Sequence, residues 1–149
     1  MATYSELIEQ LSEQLGIEIF PNINNVVVLL IEKTIKIHIE KDVDDTVIIG
    51  SSITDLAPGK FREHILKDAL IINSSEYKNR GTLSYMGSEN SLFIHQKSPL
   101  SNLTANKMVQ IIKNICKRSE KWKNTVNEGH SSPLDEMPAA VKKKSPLEI

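Results

Sequence analysis

Cysteine is almost missing from this 149-residue chain. Cys116 stands alone, so no intrachain disulfide can form, which suits a reducing cytoplasm. Long apolar runs are missing too. The longest, Val26–Ile31, falls far short of the roughly 20 residues that span a bilayer. Met1–Glu6 offers neither a basic stretch nor an apolar one, so no secretory signal is expected. Aromatic residues make up only 5%, which leaves little to stack on nucleobases. Neither sign of charge prevails. The net charge of −1 gives no bulk attraction to nucleic acid or to an anionic membrane. Nor do opposed halves cancel: residues 128–149 hold the acids Glu128, Asp135, Glu136 and Glu148 against Lys142, Lys143 and Lys144.

Catalytic and metal chemistry is equally thin. His38, His64, His95 and His130 are scattered, with no two at metal-ligand spacing. Asp42, Asp44 and Asp45 lack the glycine and distal glutamate of a calcium loop. Pro58-Gly59-Lys60 lacks the rest of a phosphate loop and reads as a helix start. No serine sits in a nucleophile elbow. An enzyme would need a cleft gathering His38, His95 and an acid. The expectation is a binding protein with no cofactor, no metal and no small-molecule substrate.

What is present is periodicity. Thr3 and Glu6 form a capping box before Tyr4, Leu7, Ile8, Leu11 and Leu15, one apolar stripe that Gly16 closes. Val26–Ile31 reads as a strand apolar on both faces. Ile35, Ile37 and Ile39 alternate with Lys36, His38 and Glu40, a strand with one wet face. Thr46–Ser52 is a third strand, and the short connections predict an antiparallel meander. A second helix follows Pro58-Gly59 and ends near Asn73-Ser74-Ser75. Two strands flank the turn Gly87–Asn90. A last helix, capped by Thr104, carries Met108, Ile111, Ile112, Ile115 and Cys116 on its apolar side and runs to about Thr125. The plan is α-βββ-α-ββ-α, an α+β domain with helices on an antiparallel sheet. Residues 1–127 form the domain. Residues 128–149, marked by Pro133, Pro138 and Pro146 and no apolar period, read as a disordered tail.

Two surfaces call for partners. A sheet with helices on one side buries one face only, so the doubly apolar strand needs a second cover, which marks a binding surface. Lys113, Lys117, Arg118, Lys121 and Lys123 make the last helix basic near its end. Favourable interaction with the helix C-terminus explains them. The alternative is a regulatory protein contacting nucleic acid through this helix.

Leu56–Glu63 with Leu66–Asn73 resembles the second-helix signature of class I type III secretion chaperones, the Tir-chaperone-like group. Gly81–Tyr85, Ser98–Thr104 and Trp122 resemble later parts of the same pattern, in the same order. The resemblance spans roughly Leu7 to Val126. It implies a cytoplasmic bacterial homodimer, or a heterodimer with a related chaperone. The second helix and the strand after it would form the interface, through Phe61, Ile65, Leu66, Ala69, Leu70 and Leu83. It also implies a virulence-related partner, the N-terminal segment of one or more type III effectors, bound in extended form. Strand addition and apolar grooves would hold that segment, with Ile8, Leu11, Val28, Leu30 and Ile37 as the contacts.

Overall fold

The structure is a computed structural model, and it describes residues 2–19, 26–75 and 80–139. The elements are α1 (Tyr4–Leu15), β1 (Val26–Ile31), β2 (Ile35–Lys41), β3 (Thr46–Asp55), α2 (Lys60–Asn73), β4 (Thr82–Met86), β5 (Ser91–Pro99) and α3 (Ala105–Asn127). Short 3-10 turns lie at Leu100–Asn102 and Leu134–Glu136. The expected α-βββ-α-ββ-α plan is borne out.

Helix α1 begins where its capping box does. Thr3 Oγ1 accepts from the Glu6 amide, and Glu6 returns a carboxylate oxygen to the Thr3 amide. Gly16 ends the helix in the left-handed region at φ 69°, which a side chain would resist. The buried stripe is Tyr4, Leu7, Ile8 and Leu11. The Tyr4 hydroxyl reaches the Ile39 carbonyl at 3.4 Å, which ties the helix start to β2.

The sheet is antiparallel throughout, in the order β1-β2-β3-β5-β4. The first three strands form the expected meander. The chain then leaves the sheet through α2, enters again at the far edge as β4, and returns as β5 beside β3. All three helices pack into one core with Val27, Leu29, Ile37, Ile39, Val47, Ile49, Leu83, Leu92 and Ile94. Helix α3 crosses β3 and β5, α1 lies beside α3, and α2 covers β4. The other sheet face carries no helix among the described residues.

One expectation fails. Residues 128–139 are not a detached tail. The chain turns at Gly129 (φ 88°) and runs back against α3, where Pro133 and Glu136 are buried and Met137 packs on the core. A composition rich in proline and serine masks this, because the segment is held by single anchors rather than by a periodic stripe. The remainder of the expected tail, from residue 140, lies outside the described residues.

Candidate interaction surface

Alternation along β1 divides its six apolar residues. Val27 and Leu29 face the core, whereas Val28 is 54% exposed and Leu30 50% exposed. The neighbours of these two on the open face come from β2. Val28 opposes His38 and Leu30 opposes Lys36. His38 in turn opposes Gly50, and Gly50 opposes His95. The row therefore runs from an aliphatic strand at the edge into a polar interior. β1 pairs with one strand in the described sheet, β2, so an apolar outer face and a strand edge coincide.

Phe93 explains the glycine in that row. A Cβ on Gly50 would stand 2.7 Å from the Phe93 ring and 2.9 Å from the Ile94 carbonyl oxygen. The ring lies over the glycine and stacks with His95 at 6.2 Å between centroids. Burial lowers the His95 pKa below the usual imidazole value, and Lys97 adds to that shift.

The expected contact set divides along the same lines. Val28 and Leu30 are available to a partner. Ile8, Leu11 and Ile37 are buried at 2%, 0% and 0% exposure and belong to the core. They point inward because the α1 stripe, which packs on α3, and the inner face of β2 belong to one core. Apolar spacing alone identifies such a stripe without saying what covers it.

Further exposed apolar side chains lie on α2. Ile65, Ala69 and Leu83 are buried in the seam between α2 and β4, whereas Phe61 and Leu70 are exposed, Leu70 by 70%, and Leu66 is half-buried. Asn73 closes the seam with two bonds to Leu83, donating to its carbonyl at 2.7 Å and accepting from its amide at 2.9 Å. Arg62 lies 5.4 Å from the centre of the Tyr85 ring and donates to its hydroxyl at 3.1 Å. Tyr85 is itself 36% exposed. Reading the sequence alone misses this pair, since cross-element contacts leave no periodic signal.

The basic end of α3 is divided: Lys113, Lys117 and Lys123 are exposed, whereas Arg118 and Lys121 are turned to the chain's own carboxylates. Arg118 is 5% exposed, and Lys121 pairs with Asp135 and Glu136. Of Lys117, Arg118 and Lys121, the trio a nucleic-acid reading requires, two are engaged by the chain's own carboxylates. His38 and His95 stand on the open sheet face, on either side of Gly50. Clefts of about 230, 530 and 410 Å³ contain neither of them. Among the described residues, no group of three or more His, Cys, Asp or Glu is placed to hold a metal ion. No helix among them is long and apolar enough to cross a membrane.

The sequence pattern of the Tir chaperone protein (CesT) family matches residues 6–123, most of the chain. The chain belongs to this family. Solved structures agree on the fold. A chain of the ExsC–ExsE complex aligns at TM-score 0.68 and 12% identity, covering 83% of this chain and 96% of its own. A chain of the HopA1–SchA chaperone–effector complex gives 0.67 and 13%, covering 81% and 93%. The Yersinia pestis type III secretion chaperone SycH, solved with a fragment of YscM2, gives 0.62 and 15%, covering 78% and 97%. No curated protein matches the sequence. For this family member, the fold and its order of elements agree with the resemblance read from Leu56–Asn73, Gly81–Tyr85 and Ser98–Thr104.

Proposed function

We propose that this chain is a cytosolic, non-enzymatic chaperone for type III secretion that binds the N-terminal segment of one or more effectors in extended form. The observation that carries the reading is the coincidence at β1 of two half-exposed aliphatics and a strand that pairs, in the described sheet, with β2 alone, in a chain of the Tir chaperone family. Similar folds solved as a chaperone–effector complex and as a type III secretion chaperone with a bound fragment support it. An added strand would gain main-chain hydrogen bonds along β1, while its alternate side chains rest on Val28 and Leu30. Covering the exposed halves of those two side chains contributes only about 2 kcal/mol. The strand ladder and contacts elsewhere must supply the rest, which suits a long extended partner. The work done is sequestration: an aggregation-prone segment is held as a strand instead of pairing with itself.

The same reading makes the chain a homodimer through α2 and the β4 edge, where Leu66, Leu70 and Tyr85 lie, with Phe61 in the first turn of the helix. A stable interface of standard size buries about 800 Å² on each copy. That area requires the whole outward side of α2, including Leu70.

Val28→Asp with Leu30→Asp tests the binding site. Both side chains are half-exposed, so the fold should survive, with unchanged circular dichroism. Binding of an effector N-terminal fragment, measured by titration calorimetry, should weaken at least tenfold, about 1.4 kcal/mol. Undiminished affinity would remove the β1 edge as the binding site.

A further inference from the structure

Trp122, Arg118 and Glu136 form a buried cluster that the binding surfaces do not explain. Glu136 has a side chain with no exposure at all. Its Oε1 accepts from Arg118 Nη2 at 2.7 Å, Arg118 Nε at 3.0 Å and Trp122 Nε1 at 3.0 Å. Its Oε2 lies 2.8 Å from the Lys121 ammonium, which also meets Asp135 at 2.9 Å. The guanidinium reaches further. Arg118 Nη1 donates to the carbonyls of Gly81 at 2.8 Å and Arg80 at 3.3 Å, immediately before β4 begins.

The same segment grips a second element. Ser131 and Ser132 both donate to one carboxylate oxygen of Asp68 on α2, at 2.6 and 2.8 Å. Residues 131–136 thus bond to α3 and α2, and reach the start of β4 through Arg118. A buried carboxylate is costly unless fully paired, so Glu136 specifies one seating of the segment rather than many. Gly81, at φ 109°, is the point where the chain enters β4 beneath this clamp.

We propose that residues 130–138 are a strap that fixes α2 and the start of β4, and so sets the shape of the face through which two copies associate. The association half of this rests on the homodimer reading above; the anchoring half does not. The strap lies on the Asp68 side of α2. Leu66 and Leu70 lie on another side of the helix, by the 100° advance per residue. It can therefore steady the Leu66 and Leu70 side of α2 without covering it; Phe61 shares the Asp68 side, about two turns earlier in the helix.

Three variants test this: removal of residues 128–149, Glu136→Gln, and the milder pair Ser131→Ala with Ser132→Ala. Amide hydrogen exchange is followed in the full chain and in each variant, with self-association measured by sedimentation. In Glu136→Gln, exchange should rise in residues 80–86 and 60–73 by about tenfold or more beyond any rise in residues 4–15 and 35–41. The dimer should weaken by about tenfold or more. The serine pair should affect residues 60–73 alone. If the truncated chain fails to fold, the two point variants still decide the matter. Exchange that rises equally across the whole sheet would overturn the proposal by making the cluster a general stabiliser. Unchanged exchange would overturn it too. A wild-type chain that is monomeric at micromolar concentration overturns the association half, and the exchange pattern still decides the anchoring half.

Discussion

Glu136 is subject to two opposed influences. Burial pushes its pKa up, but the hydrogen bonds from Arg118, Lys121 and Trp122 outweigh that and hold it below the usual glutamate value of 4.5. A carboxylate with a lowered folded pKa contributes stability that is complete above its unfolded pKa. That contribution is lost as the pH falls through the lower folded value. Denaturant unfolding between pH 7 and pH 3 should therefore show a loss below about pH 4.5 that Glu136→Gln lacks. At neutral pH the variant should be the less stable, by up to about 3–5 kcal/mol, because Arg118 stays buried without its counter-charge. Gly50 makes a separate prediction at the same scale. Gly50→Ala places a methyl against both the Phe93 ring and the Ile94 carbonyl oxygen. The ring can shift; the backbone of a central strand cannot. A loss of about 1–3 kcal/mol in chemical denaturation is expected.

Elements were legible in the sequence wherever a local rule fixed them. The Thr3–Glu6 box, the Gly16 stop and the Thr104 cap act within one turn, and each appears where spacing predicts it. Partners across the fold were not legible. Alternation in Val26–Ile31 divides its faces but does not say which face the helices take, so Ile37 joined the expected contact set and proved to be core. The strap left no period to find. One signal was nonetheless present: Arg118 falls on the buried stripe of α3 with Ile111, Ile115 and Trp122. A cation there requires a buried carboxylate, and the chain after α3 supplies Glu136. The β1–β2 hairpin offers a test of its own. Glu32 and Lys33 both adopt positive φ, 53° and 65°, which non-glycine residues resist. Lys33→Gly should raise stability by about 0.5–1 kcal/mol in thermal or denaturant melts, by relieving that cost.

Among the described residues, the helices lie on one side of the sheet and exposed apolar side chains lie at both of its edges. At one edge, β1 presents Val28 and Leu30. At the other, α2 and β4 present Leu66, Leu70 and Tyr85, steadied from behind by the strap. On the proposed reading, one edge takes a partner's strand and the other a second copy, the arrangement a sequestering chaperone requires. The most direct measurement is size-exclusion chromatography with light scattering, on the chain co-expressed with N-terminal fragments of secreted effectors from the same bacterium. The account predicts that at least one fragment elutes in a stable complex with two copies of the 16.7 kDa chain, and that Val28→Asp with Leu30→Asp abolishes the complex while leaving the dimer. A chain that elutes alone from every fragment, or a complex indifferent to those substitutions, would contradict it.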